Sequence, residues 1–366
     1  MKLRSVYPSL LTLLICTLLV TSSAFAQNKN SIDPAKFHGI NAGAPIWDGE
    51  IELTPRKIRQ IAATGTRAIR FNFRHDGVKK WTPELLDRYE EVIDLLLEYD
   101  FEILGLLCND CTHGWFHQWN DTSEGLYNQY TQDFVHNAQV IVSRFHTKIK
   151  TWEIWNEPDA INPQNKGGTY IPPAVFARML LETRIAIVEA LPQYMDSDEL
   201  KIVVGGFFAH DIDGRTHTSA GYLRELYEQK DVWEMCLNEL GRQYPWDILG
   251  YHFYIDQYTN LNAKKLNFFI DDFVAVRDEY DDENSKLLIT EFGWHTVNKT
   301  QELQRDNAAL CYDILAAREE VIGTYWYQWV DEIVEKRGMV FDDARNPKEL
   351  LKEFRKRCQQ TIKNKK

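Results

Sequence analysis

Residues 150–159 read KTWEIWNEPD, an aromatic and β-branched run that contains two glutamates and ends at a proline. The run 149–155 predicts a buried strand of a parallel sheet, because strands of that kind are apolar on both faces. Pro158 has no backbone N–H to give to a ladder, so the strand is expected to end at NEP. Charge is unfavourable inside a sheet, and Glu153 and Glu157 therefore each need an explanation.

Strand-like segments of this kind recur eight times and alternate with long amphipathic segments. The predicted strands are 37–41, 67–73, 101–107, 149–155, 201–207, 247–253, 286–292 and 322–328. The predicted helices are 55–63, 83–99, 126–145, 173–191, 221–240, 263–280, 301–319 and 347–359. Repeated strand–helix units imply a parallel sheet with crossover helices, and eight of them predict a closed (β/α)8 TIM barrel of the α/β class.

An open, doubly wound sheet is the alternative α/β architecture. Sheets of that kind usually carry a glycine-rich phosphate loop after the first strand. Here the first strand leads into GINAGAPIWDG at residues 39–49, which does not match GxGxxG. The closed barrel is therefore the predicted fold, in a single domain over residues 27–366.

The first 26 residues have the pattern of a secretory signal peptide. Lys2 and Arg4 precede an apolar run at 10–20, and AFA at 24–26 matches the small-x-small cleavage pattern. The apolar run is short for a span of about 20 residues, so no membrane insertion is expected. The sequence predicts cleavage near Ala26 and a secreted or periplasmic protein.

Charge and cysteine content narrow the partners. The chain has 42 basic and 54 acidic residues, a net charge of −12, which argues against nucleic acid and favours a neutral substrate. Of six cysteines, five follow the predicted signal peptide, an odd number that leaves at least one free or paired between chains. The CxxC at Cys108 and Cys111 lacks the further ligands of a zinc site, which leaves a local disulfide or two buried thiols. The oligomeric state stays open.

The segments after the predicted strands are rich in aromatic, amide and carboxyl side chains. They include RFNFRHD after strand two, WNEPD after strand four, YHFYID after strand six, EFGWH after strand seven and YWYQWVDE after strand eight. The C-terminal ends of the strands carry the active site in a (β/α)8 barrel. Aromatic faces stack on sugar rings and polar groups bind hydroxyls, so this edge is predicted to be a carbohydrate cleft.

Glu157 ends the fourth predicted strand and Glu291 ends the seventh, across the barrel mouth from each other. Glycoside hydrolysis needs two facing carboxyl groups, one to protonate the leaving oxygen and one to attack or to activate water. A single glutamate at a strand end is most often solvated or ion-paired. Two of them at independent strand ends, both in aromatic surroundings, favour a catalytic pair.

WEIWNEPD and ITEFGW, placed at strands four and seven, resemble glycoside hydrolase clan A. The resemblance implies a retaining enzyme with Glu157 as acid/base and Glu291 as nucleophile, their carboxyl groups about 5–5.5 Å apart. Within the clan, WEIWNEPD and YWYQWVDE resemble family thirty-nine, whereas HFY resembles the family five cellulases. This chemistry implies no metal and no cofactor.

The resemblance also implies roles for the residues around the two glutamates. Asn156 would bind the hydroxyl next to the reacting carbon, and Arg70 would keep the nucleophile ionised. His252 and Tyr254 resemble the His-x-Tyr pair of strand six, whose tyrosine donates a hydrogen bond to the nucleophile. Trp326 would form the floor of the reacting subsite.

The end of strand three departs from the family five pattern. LLCNDC stands where a histidine is more usual, so Asn109 is expected to make the neighbouring subsite contacts instead. Trp115, a few residues later, is predicted to be either a sugar platform or a residue that packs a long loop.

The leading hypothesis is a secreted retaining hydrolase of a neutral β-linked polysaccharide or oligosaccharide. A non-catalytic carbohydrate-binding barrel is disfavoured, because such proteins usually lack one of the two carboxylates. A phosphate-binding isomerase or aldolase would have glycine-rich loops after strands seven and eight, and EFGWH and YWYQWVDE supply none. A transglycosidase would share every catalytic residue and remains an alternative.

Strand alternation separates the two glutamates of the opening segment. Glu153, Trp155 and Glu157 are expected to share the interior face, with Glu153 too deep to reach a sugar. A carboxylate at that depth needs partners, so Glu153 is predicted to be structural. Asn156 would point away under strict alternation, and we therefore expect the strand to break its pleat at NEP.

Overall fold

Eight parallel strands close into a barrel in the order in which they occur along the chain. They are β1 (His38–Asn41), β2 (Ala68–Asn72), β3 (Glu102–Leu107), β4 (Thr151–Ile154), β5 (Lys201–His210), β6 (Ile248–Tyr254), β7 (Lys286–Phe292) and β8 (Val321–Trp326). Each strand pairs with the next, and β8 pairs with β1. The predicted (β/α)8 TIM barrel is confirmed.

The strands belong to a computed structural model that describes residues 31–75, 80–162, 167–192, 197–342, 346–360 and 362–363. The predicted signal peptide, residues 1–26, lies outside the described residues. Across the ranges that are described, we find no helix with both the length and the apolar character that a membrane span requires.

The helices surround the barrel. They are α1 (Pro55–Ala62), α2 (Pro83–Glu98), α3 (Gln129–Phe145), α4 (Pro173–Ala190), α5 (Ala220–Tyr227), α6 (Lys230–Leu240), α7 (Ala263–Glu279), α8 (Gln301–Ala316) and α9 (Glu349–Gln359). Five of them begin after a Thr or Asn whose side chain accepts a backbone N–H of the first turn, which satisfies an otherwise unpaired donor: Thr54, Thr82, Asn128, Asn262 and Thr300.

The single helix predicted at 221–240 is two helices. In a continuous helix the Leu226 carbonyl would accept from the N–H of Lys230. Instead the indole N–H of Trp233 donates to that carbonyl at 3.0 Å, and Lys230 N–H turns to Glu228 O at 2.8 Å. The indole of Trp233 and the backbone N–H of Gln229, which donates at 3.2 Å, thus take the acceptor that would have continued α5.

The barrel interior changes from apolar to polar along the strands. Its lower part is a small cluster of Ala68, Leu104, Val203, Leu288 and Tyr325. Two residues further along β2 and β7 stand Arg70 and Thr290, which point to the same interior because side chains in a strand alternate. A layer of buried polar groups therefore lies directly above the apolar base.

All five cysteines of the described chain are buried free thiols. Of the two alternatives for the CxxC, the structure shows thiols. Burial raises the pKa of the Cys111 thiol to about 12, which suits an unreactive packing residue.

Only glycine fits at position 206 of β5, because the side chains of His252 and Glu153 lie close to its Cα. Its φ is +71°, and a methyl group there would lie 2.5 Å from Nε2 of His252 and 2.8 Å from Oε1 of Glu153. Gly214 is a matched control, because its φ is also +71° but a methyl group would meet nothing within 4 Å.

We expect Gly214→Ala to lower the free energy of unfolding by about 1–2 kcal/mol, the cost of a left-handed alanine. Gly206→Ala should lose a further ~1–3 kcal/mol because the polar layer must move. Urea unfolding of both variants measures the difference, and equal losses would show that the close approach contributes nothing.

Candidate active site

The chain leaves the barrel ladder abruptly after β4. Trp155 and Glu157 have φ of +73° and +52°, in the left-handed region. The N–H of Trp155 still donates to Leu107 O at 2.7 Å on one side, whereas the N–H of Glu157 donates to Gly206 O at 3.1 Å on the other. The expected break of the pleat at NEP is confirmed, and it turns Asn156 and Glu157 towards the same cavity.

The break also corrects one expectation. Trp155, predicted to share the interior face, points outward and packs at 5.6 Å against Phe134 of α3. Its indole N–H donates to Thr169 O at 2.7 Å. The positive φ rotates the side chain out of the alternation that Glu153 still obeys.

The Arg70 guanidinium is the centre of the polar layer. Its side chain is 1% exposed, and it donates to Glu153 Oε2 at 2.5 Å, to Glu291 Oε1 at 2.5 Å and to Asn156 Oδ1 at 2.9 Å. A buried cation requires such partners, because an uncompensated one is strongly destabilising. Glu153, fully buried, takes the structural position predicted for it.

Glu291 receives hydrogen bonds from three strands. Besides Arg70, Asn41 Nδ2 donates at 3.1 Å and the Tyr254 hydroxyl donates at 2.9 Å. Burial by itself would raise the pKa of this carboxyl group, but the Arg70 guanidinium and the Tyr254 hydroxyl favour the charged form and hold the pKa below its usual value. Glu291 is therefore an ionised carboxylate at neutral pH.

Glu157 has the opposite electrostatic environment. Burial raises its pKa above the usual value, and its nearest polar partner is the His252 ring, whose Nδ1 lies 3.0 Å from Oε1. Glu157 therefore keeps its proton to higher pH than an exposed glutamate. The pKa values of the two carboxyl groups are moved in opposite directions, which is the arrangement that acid–base division of labour requires.

The two glutamates open into a cavity of about 1020 Å³. Its wall is formed by the segments that follow β4 to β8, and its lining residues are Asn156, Glu157, Phe208, Asp211, Ile212, Tyr254, Gln257, Tyr258, Glu291, His295, Val297, Asn298, Lys299, Tyr327, Val334, Glu335 and Arg337. The Arg337 guanidinium lies 4.7 Å above the ring of Tyr254 and steadies it.

The structure does not bring Trp326 to this cavity. The side chain is fully buried against Phe292, and its indole N–H donates to Arg337 O at 2.9 Å. The next residue, Tyr327, lines the cavity in its place. Tyr327 therefore supplies the aromatic surface that was expected of Trp326. The position that faces the cavity falls one residue later, just after the end of β8.

The residues expected after β3, Asn109 and Trp115, are not among the described residues that line this cavity. Asn109 begins a short 3-10 turn, Asn109–Cys111, and its carbonyl accepts from the Tyr130 hydroxyl at 3.5 Å. Trp115 is 69% exposed ahead of the short helix Phe116–Trp119, so it does not pack the loop interior. Neither is brought next to Glu157 or Glu291 by the contacts described.

Asn41, Thr290 and Tyr327 were missed by sequence reasoning. Asn41 is the last residue of β1. Its position at the C-terminal end of a barrel strand could have identified it as a residue of the site. Thr290 and Tyr327 stand two residues after the interior residues Leu288 and Tyr325, so alternation along the strand could have placed both of them inside the barrel.

Within the described ranges, one group of side chains is close enough to hold a metal ion: Glu157, His252 and Glu291, with ligand atoms within 4.8 Å of one another. Both Glu291 oxygens, however, already accept hydrogen bonds from Arg70, Asn41 or Tyr254. A guanidinium beside the carboxylate competes with a metal cation for the same charge. The donor set fits a catalytic carboxylate pair better than a metal centre.

A closed parallel barrel whose mouth holds two facing glutamates defines a glycosidase of the clan A type. The chain belongs to the Cellulase family (glycosyl hydrolase family 5), whose model matches residues 26–332. Among curated protein sequences, none matches this chain.

Solved structures of several glycosidases share the fold at low identity. A family 39 glycoside hydrolase from Bacteroides cellulosilyticus WH2 has a TM-score of 0.60 and 14% identity, with 89% of this chain and 64% of that chain covered. This chain thus spans less than two thirds of that protein's length. A broad-specificity endoglucanase from Clostridium acetobutylicum has a TM-score of 0.64 and 13% identity, with 90% and 99% covered. Endo-glycoceramidase II from Rhodococcus sp. has a TM-score of 0.60 and 16% identity, with 90% and 79% covered.

Removal of the Tyr254 hydroxyl tests the electrostatics of Glu291. In Tyr254→Phe the carboxylate loses one donor, so its depressed pKa should rise by about one unit, the equivalent of one hydrogen bond to a charged group. NMR titration of the glutamate side-chain carboxyl carbons measures this directly. Tyr258→Phe, on an exposed cavity tyrosine, is the control and should leave the Glu291 titration unchanged.

Proposed function

We propose that this protein is a retaining glycoside hydrolase of β-linked polysaccharides or oligosaccharides. Glu157 is its acid/base and Glu291 its nucleophile. The observation that carries the proposal is the meeting of the two carboxyl groups in one cavity with their pKa values moved in opposite directions. A carbohydrate-binding barrel without activity would have no use for that difference.

The short distance between the two carboxyl groups supports retention. One oxygen of Glu157 and one oxygen of Glu291 lie within 4.8 Å of each other, in keeping with the ~5–5.5 Å separation of retaining enzymes. Inverting enzymes separate the two groups by ~6.5–9.5 Å, because a water molecule must fit between the sugar and the base.

The reaction then proceeds in two displacements. Glu291 attacks the anomeric carbon while Glu157 gives its proton to the departing oxygen, and a glycosyl ester of Glu291 forms. Glu157, now ionised, takes a proton from water, which attacks the anomeric carbon and releases Glu291. Arg70 and Tyr254 hold the Glu291 carboxylate in position before attack and bind it again as it leaves.

The lining of the cavity supports a sugar substrate. Tyr254 and Tyr327 offer aromatic surface near the glutamates, and Asn156 offers an amide that Arg70 fixes in orientation. Burial raises the pKa of Tyr254 well above its usual value, so the phenol stays a hydrogen-bond donor. The acidic chain favours a neutral glycan over a polyanionic one.

The rim of the cavity favours a second candidate, a β-glycoside with an apolar aglycone. Ile212 and Val334 line it with 45% and 78% of their surface exposed, next to exposed Tyr258. Aliphatic side chains bind hydrocarbon better than hydroxyl-rich sugar rings. The structural likeness to an endo-glycoceramidase agrees with this candidate.

Purified protein should be assayed against β-glucan, mannan, xylan, galactan and a β-glycoside with an alkyl aglycone. Product lengths identify the substrate and reveal transglycosylation as longer products, and NMR of the first product gives its anomeric configuration. We expect a β-configured product from a β-linked substrate. An α-configured product would contradict retention, and binding to a glycan without any product would favour the carbohydrate-binding barrel.

Azide rescue separates the two roles on the dinitrophenyl β-glycoside of the sugar that the wild type cleaves. Glu157→Ala should lose about 10²–10⁴ in turnover without azide, and with azide it should give a β-glycosyl azide. In Glu291→Ala, azide fills the vacated nucleophile position and should give an α-glycosyl azide.

Glu239→Gln, on the exposed side of α6, is the control for loss of one negative charge and should keep wild-type turnover. The same azide anomer from both alanine variants, or undiminished turnover in Glu291→Ala, would contradict the assignment.

We also propose that residues 1–26 are removed on export and that the mature protein is secreted or periplasmic. The cleavage pattern at residues 24–26 and the start of the family match at residue 26 support this proposal. Expressed as the full chain in a secreting bacterium, the exported protein should begin at Gln27 by N-terminal sequencing. A cell-associated chain that still begins at Met1 would contradict it.

A further inference from the structure

Thr290 links two buried side chains below Glu157. Its Oγ1 is 2.8 Å from Oε1 of Glu153 and 3.0 Å from Nε2 of His252. The other ring nitrogen of His252, Nδ1, is 3.0 Å from Oε1 of Glu157. A continuous path of hydrogen bonds therefore runs from Glu153 through Thr290 and His252 to Glu157.

The donor and the acceptor of each hydrogen bond on this path can be assigned from the number of hydrogens that each side chain carries. The Arg70 guanidinium donates to Glu153 at 2.5 Å, so the Glu153 carboxylate acts as an acceptor. The Thr290 hydroxyl has one hydrogen and gives it to Glu153. Oγ1 can then only accept from His252, which assigns a proton to Nε2.

Alternation from Leu288 points Thr290 inward, and a ladder irregularity turns the next residue, Glu291, inward as well. Tyr251 of β6 pairs with Ile289 of β7, but the next residue, His252, pairs with Glu291. Thr290 is thus an extra residue in the ladder, and it turns inward together with Glu291. Gly206 closes the path from the β5 side, where a methyl group would lie 2.5 Å from Nε2.

We propose that Thr290 fixes the neutral tautomer of His252 in which Nε2 carries the proton and Nδ1 is a bare acceptor that faces Glu157. A bare Nδ1 accepts a hydrogen bond from the protonated carboxyl group but can give none to the ionised one. The tautomer therefore favours the protonated acid that the first displacement consumes. Thr290 is a positioning residue for Glu157, and the inference rests on the proposed function only in its kinetic consequence.

The charged groups around the imidazole are Glu153 of β4, Glu157 three residues after the end of β4, Glu291 of β7 and Arg70 of β2. The nearer Glu291 oxygen is 3.8 Å from Nδ1, beyond hydrogen-bond length, and it accepts from Tyr254 instead. Only Glu157 among these groups is within hydrogen-bond distance of Nδ1. Loss of the tautomer preference should therefore change the titration of Glu157 more than that of the other charged groups.

The tautomer is tested directly by nitrogen NMR of protein with isotope-labelled histidine, at neutral pH and without substrate. The His252 signals are assigned by their loss in His252→Ala. We expect the Nε2–H tautomer in the wild type and in Thr290→Ser, and a mixed or Nδ1–H tautomer in Thr290→Val. A wild-type ring with its proton on Nδ1, or a Thr290→Val ring unchanged from the wild type, overturns the proposal.

The kinetic consequence is tested on phenyl and dinitrophenyl β-glycosides of the sugar that the wild type cleaves. In Thr290→Val an Nδ1–H can donate to ionised Glu157, so the alkaline limb of kcat/KM for the phenyl glycoside should move down by about one pH unit. The dinitrophenyl glycoside needs little acid assistance, so its rate should be nearly unchanged. Thr290→Ser should keep the wild-type limb.

Two further variants separate positioning from loss of structure. Thr290→Ala removes the same hydroxyl in case Thr290→Val does not fold, and it should shift the limb in the same direction. In a His252→Ala background, Thr290→Val should cause no additional shift. An unmoved limb in a folded Thr290→Val overturns this inference alone, whereas a wild type inactive on every glycoside overturns the proposed function and leaves the NMR test to decide the tautomer.

Discussion

The Arg70 guanidinium, buried in the barrel interior, is the constraint on which the site depends. A cation at that depth is tolerated only when carboxylates and an amide surround it, and β4, β7 and the NEP turn supply them. The same three contacts fix Glu153, Glu291 and Asn156 relative to one another. Closure of the barrel is what brings these acceptors from distant parts of the chain to one side chain.

The pKa values of the two catalytic glutamates differ because different polar groups surround the two buried carboxyl groups. Both are withdrawn from water, which disfavours the charged form of each. Glu291 is compensated by a guanidinium, an amide and a phenol, whereas the side-chain hydrogen bond described for Glu157 is the one to the His252 ring. The fold therefore moves the pKa values of two residues of the same type in opposite directions, and Thr290 acts on Glu157 through His252.

The sequence predicted the eight strand–helix units and the ends at which the chemistry lies. The seventh predicted strand, 286–292, coincides with β7, and the motif residues Arg70, Asn156, His252, Tyr254 and both glutamates meet at one site. Its errors cluster at strand ends. Trp155 was expected inside, but its positive φ turns it outward. Trp326 was expected in the cavity from the family resemblance, but alternation after the interior residue Tyr325 gives that place to Tyr327.

By itself the sequence determined the barrel fold, because its apolar strand segments and amphipathic helical segments show which residues are buried on folding. It also determined which carboxylates belong to the cleft, since they end strands in motif contexts that few other roles explain. Only the tertiary structure decided the position of Trp155 and the contacts of Thr290 and Tyr327, and only it moved the pKa values of Glu157 and Glu291 in opposite directions. Those properties depend on register against neighbouring strands and on charges contributed from other strands, and no local stretch of the chain contains that information.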